Sequence, residues 1–311
     1  MKSFRKFALS TTIATYILIF VGGLVRVSGA GLGCPDWPKC FGRWIPPINI
    51  SQLPPDIDPN LFNFTLAWIE YFNRLVGVTI GFLILITAIL SIIYFRKVTR
   101  IWLSSVAALV LVAYQGWQGG QVVASKLQPL LVSAHLVIAL IIAGLLIYAT
   151  QQAYYLEYPQ ADKGAVYPRR SKLWLTILWI CGILQVILGT QVRSALEILE
   201  ANFPSTSAAQ LVTRIGGVNY AHSLLGIIIG VFTCYVGYII IKQSRNISRL
   251  VKEGARWMII LVLAQVTFGV VLMIAGAPAI MQLFHLWIAS IFIGILFMLS
   301  SAYRKGEIDA I

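Results

Sequence analysis

The stretch MQLFHLWIASIFIGILFMLSSAY (residues 281–303) contains no Lys, Arg, Asp or Glu, and it is long enough to cross a lipid bilayer as one helix. Seven further apolar runs resemble it, and the chain of 311 residues is 59% hydrophobic but only 11% charged. A soluble domain of this size needs far more charged surface. The sequence therefore predicts an all-α integral membrane protein with eight transmembrane helices, at about 7–26, 70–95, 101–122, 131–153, 172–192, 218–241, 257–275 and 281–303.

The net charge of +13 follows the predicted membrane topology rather than a nucleic-acid surface. If the N-terminus is cytoplasmic, the inner segments hold all but seven of the 24 basic residues, including Arg304 and Lys305. This excess is the positive-inside pattern, which puts both termini in the cytoplasm. We expect a multi-pass protein of a bacterial plasma membrane that contacts lipid and no nucleic acid. The seven basic residues expected outside are Arg26, Lys39, Arg43, Arg74, Lys126, Arg193 and Arg214.

The chain also contains an internal repeat. GGLVR (22–26) matches GTQVR (189–193), and EYFNRLVG (70–77) matches NYAHSLLG (219–226). Gln115, Gly119 and His135 are spaced as Gln265, Gly269 and His285 are. Three matches in the same order predict two four-helix bundles related by a pseudo-twofold axis along the membrane normal. We place the N-terminal half at 1–153, a flexible cytoplasmic linker at 154–171 and the C-terminal half at 172–311.

All three histidines of the chain lie in apolar spans, about one helical turn from the outer side. Ionisable residues inside a membrane usually have a function, although a core histidine can also bond across a helix contact. His222 and His285 come from facing helices of one half at similar depth, which favours haem iron between two imidazoles. Zinc is less favoured, because no half offers three suitable ligands close together.

The first half has an incomplete set of ligands. His135 has Asn73 at the position that His222 occupies in the second half, and an amide is a poor ligand of haem iron. Glu70 lies three residues before Asn73 and so shares its helix face, where a carboxylate suggests chemistry. The alternative for Glu70 is an interfacial ion pair with Arg74. The matching position in the second half is Asn219, so the halves differ as a reactive site and a fixed cofactor site would.

Two further features lie toward the outer face. Arg26 and Arg193, at the outer ends of the first and fifth spans, are candidates for binding haem propionates, and ordinary interfacial snorkelling is the alternative. Cys34 and Cys40 are six residues apart in the outer segment 27–69, where an oxidising environment favours a disulfide over the mouth of the first half. A redox role for the pair is an open alternative. Cys181 and Cys234 lie in mid-helix and indicate apolar packing.

Taken together, these residues resemble the haem A synthases, membrane enzymes that oxidise the C8 methyl of haem O to the formyl group of haem A for haem-copper oxidases. The resemblance depends on GLGCPDWPKC (31–40), EYFNR (70–74) and the histidine segments SAH, YAH and LFH that end at 135, 222 and 285. It implies a fixed haem b on His222 and His285, a haem O substrate site with His135, Asn73 and Arg74, and a catalytic Glu70.

One position departs from the family pattern. The family usually has histidine where this chain has Asn73, so the resemblance does not imply bis-histidine ligation in the first half. The resemblance further implies an electron donor or acceptor, and the transfer of haem O from haem O synthase to this protein.

The alternative functions are a di-haem b-type electron-transfer protein and a haem carrier, neither of which changes the haem chemically. A solute transporter is disfavoured, because no span shows the breaks of discontinuous helices.

Overall fold

The computed structural model describes residues 2–303. Within that range the chain is mostly helical, with eight helices that are long and apolar enough to cross a membrane, one short α-helix, α6, and three 3₁₀ turns before α2. The prediction of an all-α membrane protein with eight spans is thus confirmed. Arg304 and Lys305 of the positive-inside pattern lie outside the described residues. The helices are α1 Lys2–Val27, α2 Phe64–Phe95, α3 Thr99–Ala124, α4 Pro129–Glu157, α5 Ser171–Asn202, α6 Ala208–Arg214, α7 Gly217–Gln243, α8 Arg249–Ile274 and α9 Ala279–Ala302.

Several helices extend beyond the predicted apolar runs, including α2, α5 and α8. Helix α2 begins at Phe64 rather than at residue 70, because the Asn63 side chain accepts a hydrogen bond from Leu66 N and caps the helix there. Helix α5 continues to Asn202 rather than ending near 192, and an ion pair between Arg193 and Glu197 one turn apart supports the extension. The α5 extension is rich in polar residues, so hydropathy alone does not reveal it, whereas the start of α2 is set by its cap.

Helix contacts follow the order of the repeat. Helix α1 packs against α2 and α4, and α3 packs against α2 and α4. Helix α5 packs against α7 and α9, and α8 packs against α7 and α9. Helices α1 to α4 thus form the first helix group, and α5 with α7 to α9 forms the second. The two groups meet where α1 contacts α9, α4 contacts α9, and α4 contacts α5. If α1 is exchanged with α5 and α4 with α9, this set of contacts between the groups maps onto itself.

The connection between α4 and α5, which the sequence predicts to be a flexible linker, makes specific contacts with the rest of the fold. Asp162 is buried and accepts hydrogen bonds from Tyr155 Oη at 2.9 Å and from the backbone and hydroxyl of Ser248. Val166 and Arg245 bridge through their backbones. These contacts dock the connection on the loop between α7 and α8, because a buried carboxylate needs donors and that loop supplies them.

The outer segment before α2 folds over the end of that helix. Cys34 and Cys40 form a disulfide, and both are buried with Phe41 and Ala67 in one apolar cluster. A side chain at Gly33 would collide with the backbone of α2 at Leu66, so only glycine permits this approach. The segment is therefore a packed cover on α2. Cys181 and Cys234 are free thiols packed against the core of the second helix group, as predicted.

Candidate functional site

Each histidine, and Asn73 with them, lies against a glycine of the neighbouring helix. A Cβ built on these glycines would lie 3.1 Å from a ring atom of His222, 3.6 Å from His135, 3.7 Å from His285 and 3.9 Å from the amide oxygen of Asn73. Asn73 thus occupies the place in its group that His222 occupies in the other, as the repeat predicts. The four pairs are Gly22 with Asn73, Gly119 with His135, Gly189 with His222 and Gly269 with His285.

A glutamine amide holds the backbone of each histidine. Nε2 of Gln115, Gln185 and Gln265 donates to the carbonyl oxygen of His135, His222 and His285 respectively, each at 2.7 Å. An amide that donates to the backbone carbonyl of a histidine fixes the position of that residue along its helix. The position of the imidazole ring is fixed with it. The spacing of Gln115 and Gln265 from their histidines is visible in the sequence. The role of Gln185 is not, because Leu18 takes its place in the repeat.

His222 and His285 face each other. Their ring centroids are 6.3 Å apart and the ring planes are inclined by 71°. Two metal–imidazole bonds of about 2 Å, with each ring centre about 1 Å behind its nitrogen, place the centres roughly 6 Å apart. Nδ1 of both rings is buried without a hydrogen-bond partner among the described residues. The pair can therefore hold one metal ion between its imidazoles, and no larger ligand set competes, because residues 2–303 contain no group of three or more His, Cys, Asp or Glu placed to bind a metal.

His135 has no imidazole opposite it, because the other two histidines of the chain face each other. Its Nδ1 is also buried without a partner, and the ring is partly exposed. Asn73 is partly exposed beside Gly22. The first group thus offers one strong metal ligand where the second offers two.

Glu70 does not stand alone beside an apolar slot. It is only 4% exposed, and its Oε2 accepts from Cys34 N at 2.8 Å while its Oε1 accepts from Arg74 Nη2 at 2.5 Å. The ion pair with Arg74 is therefore present in the structure. The sequence did not reveal the backbone of Cys34 as the second partner, because the fold of the outer segment decides it.

Arg74, predicted at the substrate site, points its guanidinium into the disulfide loop. Nη1 donates to the carbonyl oxygens of Asp36 at 2.9 Å and Lys39 at 2.7 Å. Arg74 thus connects the buried Glu70 carboxylate to the loop that Cys34 and Cys40 close. An arginine fork suits this task because its donors have fixed directions.

Arg26 and Arg193 are brought together by one carboxylate. Glu197 accepts from Arg193 Nε at 2.9 Å and from Arg26 Nη2 at 3.2 Å, and Arg26 also donates to Ser194 Oγ. Arg26 lies one turn beyond Gly22, which contacts Asn73. Arg193 lies one turn beyond Gly189, which contacts His222. The two cations are thus joined by one carboxylate, close to the glycines that contact Asn73 and His222.

Comparison with known proteins agrees with these features. The family model COX15-CtaA, described as cytochrome oxidase assembly protein, matches residues 5–297. The chain is 26% identical to Heme A synthase of Bacillus mycoides, over 96% of this chain and 91% of that protein, and 25% identical to Heme A synthase of an Exiguobacterium species, over 98% and 95%. It is 32% identical to Heme A synthase of Shewanella oneidensis over 134 residues, 40% of this chain and 38% of that protein.

The family match covers the outer loop and all three histidines, so it extends over both helix groups. It confirms the resemblance that the sequence motifs predict. The chain belongs to the COX15-CtaA family of cytochrome oxidase assembly proteins.

Proposed function

We propose that this multi-pass membrane protein is an oxidoreductase that converts the C8 methyl of haem O to the formyl group of haem A. The observation that supports this most strongly is the match to Heme A synthases over nearly the whole chain. Two successive two-electron oxidations, each adding one oxygen atom from water or dioxygen, take the methyl to an alcohol and then to a hydrated aldehyde, which loses water. Haem O comes from a haem O synthase, and a separate redox partner exchanges the electrons.

The C-terminal half, at 172–311, is proposed to hold a fixed haem b. His222 and His285 would be its axial ligands, which the ring separation of 6.3 Å supports, and Gly189 and Gly269 leave space beside the rings. When bound, this haem supplies one-electron transfer between the substrate site and the redox partner. Gln185 and Gln265 hold the two imidazoles at fixed height through their backbones.

The N-terminal half, at 1–153, is proposed to hold haem O, with the connection at 154–171 and both termini cytoplasmic. His135 binds the substrate iron, and Asn73 leaves the opposite side weakly held. Arg26 and Arg193 are proposed to bind propionates at the outer mouths, where Glu197 orients them. The repeated pattern of helix contacts supports the pseudo-twofold relation between the halves.

Glu70 is proposed as the catalytic carboxylate, either as a general base toward the methyl carbon or as a group that stabilises developing positive charge. It lies one turn from Asn73 on α2, and Arg74 and Cys34 hold it in one orientation. A buried carboxylate held in place needs no reorganisation during the reaction, which favours electrostatic stabilisation.

The proposal is tested by producing the chain with a haem O synthase in a host that makes no haem A, and chromatographing the extracted haems. We expect haem A or its hydroxylated precursor, and neither in cells with haem O synthase alone. Bound haem b and haem O without an oxidised product, in both the natural chain and an Asn73→His variant, would instead favour the electron-transfer protein.

Asn73→His should add a second low-spin haem with two imidazole ligands. Because Asn73 lies against Gly22 as His222 lies against Gly189, a histidine here has room to face His135. The low-spin haem content, measured by reduced-minus-oxidised spectra on protein loaded with haem, should rise from about one to about two per chain. Phe72→His is the matched control, because residue 72 is 57% exposed on the outer surface of the same helix. An equal rise in both variants would contradict the placement of Asn73.

A further inference from the structure

A buried hydroxyl pair joins the two helix groups close to both sites. Ser133 Oγ on α4 and Thr190 Oγ1 on α5 are 2.6 Å apart, and the residues are 5% and 7% exposed. Gln191 Nε2 also donates to Ser133 Oγ, at 3.1 Å. In apolar surroundings no water competes for these hydroxyls, so the bond holds the two helices in register.

The pair lies on a direct line of contacts between the histidines. Thr190 follows Gly189, which lies against the His222 ring, and Gln185 on the same helix holds the His222 carbonyl. Ser133 precedes His135 by two residues on α4. A displacement of His222 therefore acts on α5 at two residues, Gly189 and Gln185. Helix α5 is in turn hydrogen-bonded to α4 close to His135.

The equivalent crossing on the other side of the molecule lacks such a bond. The repeat equates Thr190 with Gly23 and Ser133 with Leu283. Gly23 and Leu283 are in apolar contact where α1 meets α9, with the Leu283 side chain 2.9 Å from the position of an added Cβ. Apolar surfaces slide at little cost, whereas a hydroxyl bond is directional. Among residues 2–303, a hydroxyl pair therefore bonds the two helix groups on the crossing that joins His222 to His135, whereas α1 and α9 are joined by a different bond, from Trp287 Nε1 to Tyr16 O at 2.9 Å.

We propose that the Ser133–Thr190 bond couples the two sites, so that the oxidation state of the haem on His222 and His285 changes the affinity of the first site for its substrate haem. This rests on the proposed haem b and haem O sites. A shift of His222 that accompanies a change in the charge of the metal it holds would reach α5 through Gly189 and Gln185. The hydroxyl bond carries this movement to α4, and Ser133 and Thr190 act as positioning residues.

Thr190→Val tests the coupling, because valine keeps the shape and removes the hydroxyl. Ser133 keeps a partner in this variant, since its hydroxyl also reaches Pro129 O at 2.8 Å. The probe is the zinc analogue of haem O, whose metal does not change oxidation state. Its dissociation constant is titrated anaerobically with the second-site haem first ferric and then ferrous, and the ratio of the two constants measures the coupling.

In the natural protein the ratio should differ from one, and in Thr190→Val it should move about threefold toward one. Thr190→Ser should restore the natural ratio. Thr12→Val, which removes a buried hydroxyl bonded within its own helix, should leave it unchanged. Because coupling is reciprocal, the midpoint potential of the second-site haem should shift on adding the analogue, and less so in Thr190→Val.

A ratio of one in the natural protein, or the same ratio in Thr190→Val, would overturn the coupling. If the natural protein carries no low-spin haem with two imidazole ligands, the proposed haem b site is wrong and the coupling falls with it. If that haem is present and haem A is formed while Thr190→Val keeps the natural ratio, only the coupling is wrong.

Discussion

Replacing His285 with alanine should remove the low-spin haem from the purified protein. His222 would keep its ring and its Gln185 contact but would lose the second imidazole, 6.3 Å away between ring centres. Loss of an outer-shell partner commonly weakens metal binding by about 10- to 100-fold, and loss of an axial ligand should cost at least as much. We therefore expect the haem content and the bis-imidazole absorbance to fall together, and haem A formation with them. His222→Ala should behave in the same way.

The matched control is His135→Ala. It removes a histidine with the same glycine and glutamine contacts, but from the first helix group. It should keep the low-spin haem and lose binding of haem O. If His285→Ala retained a bis-imidazole spectrum while His135→Ala lost it, the assignment of the two sites to the two halves would be reversed.

Glu70→Gln should stop haem A formation while leaving bound haem intact. Glutamine keeps the size of the side chain and an oxygen to accept from Cys34 N, but it removes the negative charge. Loss of a positioned base or charge stabiliser slows reactions by roughly 10²- to 10⁴-fold, so product should be almost absent after extraction and chromatography. The haem content should match that of the natural protein, because His222 and His285 lie on α7 and α9 and Glu70 on α2.

Arg74→Lys separates catalysis from anchoring of the loop. Lysine keeps a positive charge near Glu70 but cannot reproduce the arginine fork to the carbonyls of Asp36 and Lys39. If the carboxylate itself acts in the reaction, Arg74→Lys should retain much more haem A formation than Glu70→Gln. Equal losses in the two variants would mean that Glu70 only anchors the disulfide loop, and undiminished haem A formation in Glu70→Gln would sink the catalytic assignment.

The two halves combine a shared scaffold with different site chemistry. Glycine contacts recur at all four positions, and glutamine donors at three of them. The differences are concentrated at a few residues: Asn73 against His222, Glu70 against Asn219, and Leu18 against Gln185. Because the scaffold places equivalent side chains at equal height in the two halves, a single substitution is enough to change which metal ligands one half offers. This supports the proposal of one reactive site beside one fixed cofactor.

The sequence by itself determined the helices and the depth of the histidines. In lipid, backbone donors and acceptors must be satisfied within the segment, so each apolar run becomes a helix whatever packs beside it. The repeat then relates the two sets of positions, because matching spacings along helices of fixed rise imply matching heights. The eight spans and the equivalence of Asn73 with His222 were therefore predictable from residue order alone.

Only the tertiary structure decided which side chains meet. Glu70 accepts a hydrogen bond from the Cys34 backbone, Arg26 reaches Glu197, and Ser133 bonds to Thr190. These pairs join residues of different elements or depend on how the outer loop folds, so they follow from the rotation and adjacency of helices. Periodicity shows which face of a helix is distinctive, but it does not identify the neighbour, because association in lipid depends on close packing and directional bonds between particular surfaces.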